Sequence, residues 1–223
     1  MHSNKPTSLR RSQLQKRAGQ PVLPTSPNAA FEIFQAAASI LVVRLNRPAD
    51  RNPLSISTLT ELSSSLSQWF SHDDIAAIIF TGADDIFASG ANIRELTMLD
   101  LNAAKRFSEM GQNLLNSISQ ARPKTVAAIN GHCIGGGLDI ALACDIRIAS
   151  ANATFAHPGA RLGIITGWGG TQRLPRLIGK SRALELFATA RTLDAQAALR
   201  IGLVDRIADP VLETAIQLAA VAP

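Results

Sequence analysis

Short apolar runs and longer amphipathic stretches alternate along most of the chain. Apolar runs at Ile40–Leu45, Ile75–Thr81 and Thr125–Ile129 predict buried strands. Apolar positions spaced three or four residues apart predict two helices, one capped by Ser57 and one over Asp100–Ser119. This alternation of strands with helices predicts a layered α/β fold.

The pattern continues to the C-terminus. We predict helices over Gly169–Ile178, Lys180–Ala190 and Ala195–Ile201, then a strand over Leu203–Ile207. The pair Asp209-Pro210 is typical of the start of a helix, and it predicts a last helix after it.

A loop with three consecutive glycines, Gly135–Gly137, separates the predicted strand Thr125–Ile129 from a predicted helix over Leu138–Cys144. Such a loop exposes backbone N–H groups at a helix N-terminus, where they attract negative charge. The spacing G-x-x-x-G-G-G matches neither a P-loop nor a dinucleotide-binding turn. The alternative to a phosphate is an oxyanion that forms only during a reaction. A site for such an oxyanion needs a second hydrogen-bond donor. The small-residue loop Phe87–Ile93, which follows the predicted strand Ile75–Thr81, offers one.

Three separated motifs carry a resemblance to a known family: FASGANIREL, AAINGHCIGGGLDIALACD and GGTQRLPRLIG. In this order they closely resemble the enoyl-CoA hydratase/isomerase (crotonase) family, from about Phe31 to the C-terminus. The resemblance implies the crotonase spiral of repeated ββα units, commonly assembled as trimers or hexamers. Members of the family usually continue with more helices than this chain has before Pro223, so we expect the C-terminal helices to be short or missing.

The resemblance also implies a substrate site. The backbone N–H groups of Ala91 and Gly136 would be the two oxyanion donors for an acyl thioester. Two preorganised donors of this kind stabilise a thioester enolate. Residues Ala91, Asn92, Ile93 and Arg94 would flank coenzyme A, which enters as part of the substrate, and no tightly bound cofactor or metal is implied. Arg94 would meet a phosphate, although a solvated helix charge explains it equally well.

Hydratases of the family carry two glutamates, and this chain has neither. The first position holds Asp139, which either transfers a proton or simply complements the helix dipole. The second position, after Pro158, holds Gly159, which cannot transfer a proton. His157 and Thr166 are further candidates, with a structural histidine and a turn residue as the plainer interpretations. We therefore expect weak hydration, and we expect Gly159→Glu to raise it if the local backbone matches the hydratases.

Charge is concentrated at the N-terminus. Of the 22 Lys and Arg residues, five lie in residues 1–30 and none of the 17 acidic residues does, so the remainder carries 17 of each. We interpret residues 1–30 as a disordered basic extension and 31–223 as the acyl-CoA domain, with no nucleic-acid footprint and no run long enough to span a bilayer. Cys133 and Cys144 form no CxxC motif, so we expect a reducing compartment and a cytoplasmic location. If the basic extension is a transit segment, we expect a mitochondrial location instead.

Three functions remain open. The first is an acyl-CoA hydratase or isomerase of fatty-acid metabolism that uses the oxyanion hole and Asp139. The second is a decarboxylase of a malonyl-type acyl-CoA, because loss of CO₂ itself generates the enolate and needs no base. The segment Gly163–Gly170, with Trp168, also resembles that branch of the family. The third is a non-catalytic acyl-CoA binder.

Overall fold

The fold was analysed in a computed structural model that describes residues 29–221. We predicted that the basic extension is disordered. Residues 1–28 of that extension lie outside the described range. Ala30 is buried, and its carbonyl accepts a hydrogen bond of 2.9 Å from the N–H of Asn46. The described domain therefore begins just before the first strand.

Within residues 29–221, twelve strands form three sheets. They are β1 (Phe31–Ala37), β2 (Ile40–Leu45), β3 (Pro53–Leu54), β4 (Ala77–Gly82), β5 (Ile86–Ala88), β6 (Gly90–Ala91), β7 (Lys124–Ile129), β8 (His132–Ile134), β9 (Ile146–Ala149), β10 (Thr154–Ala156), β11 (Leu193–Asp194) and β12 (Arg206–Ile207). The large sheet has the order β1-β2-β4-β7-β9-β12 and is parallel except for the β1–β2 hairpin. A four-stranded sheet has the order β11-β10-β8-β5, and β3 pairs with β6.

In the part of the chain that the structure describes, eight α-helices connect and cover these sheets. They are α1 (Ile56–Ser67), α2 (Ile93–Leu96), α3 (Leu101–Ser119), α4 (Gly136–Ala143), α5 (Gly170–Ile178), α6 (Lys180–Thr189), α7 (Ala195–Arg200) and α8 (Val211–Val221). A short 3₁₀ helix, Pro158–Leu162, lies between β10 and α5. Among the described residues, no helix has the length and apolar character that crossing a membrane requires.

A repeated unit organises the middle of the chain. The large-sheet strands β4, β7 and β9 are neighbours, and each is followed directly by a strand of the small sheet, β5, β8 and β10. Those three are neighbours as well, so each unit adds one strand to each sheet before the chain enters a helix. The predicted spiral of ββα units is confirmed.

The two faces of the large sheet have different cores. Alternate residues such as Leu41, Ile78 and Ala127 face the main core, where the other helices pack. Their neighbours, including Val42 and Ile79, face a smaller core that is closed by α8. This two-residue period explains why the strands read as continuous apolar runs, because both faces are covered.

Two sequence predictions need correction. The N-cap of α1 is Ser55, whose side chain accepts a hydrogen bond of 3.1 Å from the N–H of Thr58, so Ser57 lies inside the first turn. The predicted strand Leu203–Ile207 is reduced to its last two residues, because Leu203 closes the end of α7 by donating to the carbonyl of Ala198.

Candidate functional site

The N-terminus of α4 forms one side of the candidate site. Gly135 is the N-cap, with a φ of 53° that favours glycine, and Gly136 is the first helical residue. The N–H of Gly135 donates to the carbonyl of Ala156 in the small sheet. The first hydrogen bond of the helix runs from the N–H of Asp139 to the carbonyl of Gly135. The N–H groups of Gly136 and Gly137 therefore have no partner within the helix, as expected for a first turn.

Ala91 presents its backbone from the opposite side. Its strand β6 pairs in parallel with β3, in the register Leu54↔Ala91, and the N–H of Asn92 donates to the carbonyl of Leu54. In a parallel pair, one residue of each register pair bonds to the two neighbours of the other residue. Here Leu54 bonds to a neighbour of Ala91, so the N–H of Ala91 itself points away from β3. Asn52 braces this region because its buried amide donates to the carbonyls of Ile86 and Phe87.

Gly90 brings the two predicted donors together. A Cβ atom on Gly90 would lie 2.7 Å from the amide nitrogen of Gly136 and 2.9 Å from the carbonyl oxygen of Ile134. These distances are shorter than real Cβ contacts, so only glycine permits the two segments to lie so close. The neighbouring N–H of Ala91 and the N–H of Gly136 therefore belong to one small region of the surface.

The predicted coenzyme A segment follows Ala91 directly. Asn92 caps α2: its Oδ1 accepts from the N–H of Arg94 at 3.2 Å, and its Nδ2 donates to Glu95 at 3.1 Å. Ile93 is 53% exposed and Arg94 is also exposed. An apolar and a basic side chain are thus available to a ligand beside the donors.

Asp139, His157 and Thr166 come together although they lie far apart in the sequence. Asp139 is 1% exposed, and its Oδ2 accepts a hydrogen bond from the Thr166 hydroxyl. Its Oδ1 lies 3.5 Å from Nε2 of His157, which is 4% exposed. Neither of these two atoms has a hydrogen-bond partner among the described residues. Gly170 makes room for the carboxylate, because a Cβ there would overlap Oδ1.

Burial favours the uncharged forms of both titratable groups. It raises the pKa of Asp139 to about 7, against the lowering effects of the Thr166 hydroxyl and of Arg173. Burial also lowers the pKa of His157 to about 4. Since a first-turn carboxylate in water would have a low pKa, burial here outweighs the helix dipole. Asp139 is consequently able to both take and give a proton near neutral pH.

Gly159 has no space for a larger side chain. A Cβ there would lie 2.5 Å from the carbonyl oxygen of Ile164, and the N–H of Ile164 donates to the carbonyl of Gly159 at 3.0 Å. The backbone of Ile164 therefore fills the space beside Gly159, the position at which hydratases of the family carry their second glutamate. The expected gain from Gly159→Glu does not fit this geometry.

Trp168 is a residue of the site that the sequence analysis did not place. Its indole lies against Gly136, where a Cβ would overlap the six-membered ring, and against Gly111 of α3, where a Cβ would overlap the five-membered ring. It is 4% exposed and makes an edge-to-face contact with Phe107. A glycine inside the amphipathic helix α3 was the available signal, because such a glycine often marks a close approach.

The side of α3 that faces Trp168 also holds the loop before α5. The hydroxyl of Ser108 and the amide of Gln112 both donate to the carbonyl of Gly167, at 2.9 Å and 2.7 Å. Arg173 links Asn116 of α3 to the carbonyl of Trp168. These bonds fix the segment that presents Thr166 to Asp139 and the indole to Gly136.

Metal chemistry gains no support from the side chains. Within residues 29–221, no group of three or more His, Cys, Asp or Glu side chains is arranged to hold a metal ion. Cys133 and Cys144 are free and buried, and burial raises the pKa of both thiols. Among the groups near the α4 N-terminus, Asp139 is the one whose pKa burial brings to about 7.

Comparison with protein families gives an independent result. Residues 35–221 match the family described as Enoyl-CoA hydratase/isomerase. A short-chain-enoyl-CoA hydratase from Clostridium acetobutylicum is 38% identical over 190 residues, which cover 84% of this chain and 73% of that protein. A crotonyl-CoA hydratase from Syntrophomonas wolfei is 37% identical over 179 residues, or 80% of this chain and 69% of that protein.

Solved structures give the same result for the fold. An enoyl-CoA hydratase from Bacillus anthracis superposes with a TM-score of 0.83 and 35% identity, covering 86% of this chain and 76% of that one. Pseudomonas aeruginosa DspI also superposes with a TM-score of 0.83, at 31% identity, covering 89% of this chain and 82% of that one.

Proposed function

Since the chain belongs to the enoyl-CoA hydratase/isomerase family, we propose that it moves a proton at Cα of a CoA thioester through an enolate held by Ala91 and Gly136. The chain is an acyl-CoA enzyme of this family. The single observation that carries the proposal is the contact of Gly90 with Gly136, which brings two backbone donors together.

The first role in the proposal belongs to the backbone. The thioester oxygen accepts hydrogen bonds from the N–H groups of Ala91 and Gly136, and the negative charge that develops on it is stabilised by both. Loss of one such donor typically costs about 3–4 kcal/mol of barrier. The exposed Ile93 and Arg94 are available to the coenzyme A portion beside this pair.

The second role belongs to Asp139. Its carboxylate takes a proton from Cα, the C–H electron pair moves into the thioester, and the enolate oxygen becomes negative. Delivery of that proton to Cγ completes a 3-enoyl to 2-enoyl isomerisation. If the carboxyl group first exchanges its proton with solvent, delivery of the solvent proton to Cα completes an exchange. A group with a pKa of about 7 suits transfer in both directions at neutral pH.

Hydration is expected to be the weaker activity, although relatives carry the names short-chain-enoyl-CoA hydratase and crotonyl-CoA hydratase. Addition of water needs one group to activate the water and another to protonate Cα. Asp139 supplies one group, and Gly159 supplies none. The names of these two relatives nevertheless support a short 2-enoyl thioester as the substrate.

The remaining parts of the proposal concern the whole protein. We expect coenzyme A to enter only with the substrate and the chain to assemble as a homotrimer or hexamer. Because Ala30 is buried and accepts a hydrogen bond from Asn46, we expect only residues 1–28 of the basic extension to be dispensable for stability and acyl-CoA affinity. A cytoplasmic location is our first choice. A mitochondrial one is the alternative, and a Dictyostelium discoideum relative is named as a probable mitochondrial enoyl-CoA hydratase.

The test is exchange of the Cα protons of butyryl-CoA in D₂O, followed by proton NMR, together with isomerisation of 3-enoyl-CoA and hydration of crotonyl-CoA. We expect exchange and isomerisation by the unmodified chain. Asp139→Asn should lower both about 10²–10⁴-fold, because it removes the proton carrier and keeps the shape.

The matched control is Asp194→Asn, which changes the carboxylate that caps α7 to a residue that caps equally well. Release of CO₂ from a malonyl-type thioester, without exchange, would favour the decarboxylase. Binding of acyl-CoA without any turnover would favour the non-catalytic binder. Rapid hydration that Asp139→Asn abolishes would show that another group completes the pair.

A further inference from the structure

Trp168 occupies the space beside the proposed oxyanion donor. Its indole fills the gap between the N-terminus of α4 and the middle of α3, and a glycine on each side makes this possible: Gly136 and Gly111. Both glycines would lose this contact if they carried even a methyl group. Glycine in a helix costs roughly 1 kcal/mol relative to alanine, so Gly111 is explained by the indole and not by helix propensity.

The indole and the donor face the same volume. On an α-helix, the Cα–Cβ direction tilts toward the N-terminus, and the free N–H groups of the first turn point the same way. The indole stands where the Cβ of Gly136 would be. A thioester oxygen at hydrogen-bond distance from the N–H of Gly136, about 2.9 Å, therefore brings its carbonyl carbon and the atoms bonded to that carbon close to the indole ring.

Neighbouring residues of α3 and α5 hold the indole in place. Phe107 contacts it edge to face with ring centroids 5.3 Å apart, and Arg173 donates to its backbone carbonyl at 2.9 Å. Ser108 and Gln112 hold the preceding residue, Gly167. A longer or branched acyl group could enter this space only by displacing the ring together with these contacts.

We propose that Trp168 determines the size of the acyl group and limits the site to short, unbranched thioesters. This inference rests on the proposed function, because it takes the N–H of Gly136 as an oxyanion donor. The indole acts as the wall of the acyl pocket nearest the reacting carbons, and removal of the ring opens a space that longer chains fill.

The first experiment compares kcat/KM for 2- or 3-enoyl-CoA substrates of four, eight and ten carbons. In Trp168→Leu, we expect the ratio of the eight-carbon to the four-carbon value to rise at least about tenfold, since one misfitted methylene is worth roughly 10–200-fold. Trp69→Leu is the matched control, because it removes the chain's other buried indole, which packs beside His72. An unchanged chain-length ratio in folded Trp168→Leu would overturn the proposal.

The second experiment needs no turnover, so it separates this inference from the proposed reaction. The chain has two tryptophans, and Trp69→Phe leaves Trp168 as the sole fluorescent indole. Butyryl-CoA should change its emission, whereas coenzyme A without an acyl group should not. Equal changes with both ligands would place the indole away from the acyl group and overturn the proposal. If butyryl-CoA changes the emission but no substrate is turned over, the proposed reaction fails, whereas the placement of Trp168 beside the acyl group stands.

Discussion

The site has two halves that are built in different ways. The backbone half consists of Gly90, Ala91, Gly135 and Gly136, and it depends on main-chain groups that lie close together because there are no side chains between them. The side-chain half consists of Asp139, His157 and Thr166, and it contains two buried polar atoms that have no hydrogen-bond partner among residues 29–221. Thus the first half is fixed by steric exclusion, whereas the second holds groups whose charge is free to change.

This difference decides how each half responds to pH and to mutation. A backbone N–H does not titrate, and its position changes only if the glycines around it change. A buried carboxyl group changes both its charge and its hydrogen bonds within the physiological range when its pKa is about 7. Mutations in the first half should therefore act through geometry, and mutations in the second through proton binding.

In the backbone half, the largest effect is expected from removal of one donor. Gly136→Pro in a Trp168→Ala background should lower Cα proton exchange about 10²–10³-fold relative to Trp168→Ala alone. Proline is well suited to the first position of a helix, and the shortened side chain at 168 removes the ring that it would strike. NMR exchange rates measure the loss, and circular dichroism checks the fold. Equal exchange by a folded double variant would contradict the role of this N–H.

A smaller effect, on the order of a few kcal/mol, should appear in stability as pH changes. The pKa of Asp139 is higher in the folded protein than its ordinary value of 3.8, so its contribution to stability is lost as pH rises from about 4 to about 7. The pKa of His157 is lower than its ordinary 6.5, so its contribution is lost as pH falls from about 6.5 to about 4. In the unmodified protein these two contributions oppose each other.

A variant that lacks one of these two groups should show the pH dependence of stability that the remaining group contributes. Relative to the unmodified chain, Asp139→Asn should lose stability as pH falls from 6.5 to 5, and His157→Gln should lose stability as pH rises over the same range. Urea unfolding at several pH values measures both slopes. Parallel pH curves for the two variants would show that the groups do not titrate as burial requires.

The smallest expected effect tests the boundary of the side-chain half. Gly159→Glu should cost about 1–3 kcal/mol of stability and bring no gain in hydration, because its Cβ meets the carbonyl of Ile164 at 2.5 Å. Ala160→Glu is the matched control, since Ala160 is exposed in the same 3₁₀ turn. Increased hydration by a stable Gly159→Glu variant would show that this loop opens to admit a second carboxylate.

The place of the glycine run in the fold was predictable from the sequence because its cause is local. A glycine run between a strand and a helix leaves little choice of conformation, and Gly135–Gly136 is found at the N-terminus of α4 as expected. The long strands and α3 were also predicted, since each extends far enough to repeat its period. A strand of two residues shows no period, and β6 accordingly lies within the segment Phe87–Ile93 that the sequence predicted as a loop.

The side-chain half could not be assembled from the sequence, because its members meet only through tertiary packing. Thr166 lies 27 positions from Asp139, and the loop that carries it is fixed by Ser108 and Gln112 on a different helix. Whether Asp139 is solvated or buried decides its pKa, and burial is a property of the whole fold. The position of the indole of Trp168 depends on the same helix.

The outer face of the large sheet has a consequence for the order of synthesis. Strands β2, β4, β7 and β9 are complete by Ala149, but α8, which covers their outer residues, begins only at Val211. At about 5–20 residues per second, this apolar face stays uncovered for on the order of ten seconds during translation. Until α8 is made, the growing chain exposes a surface that other proteins or chaperones can bind, so folding of the main core precedes protection of the sheet.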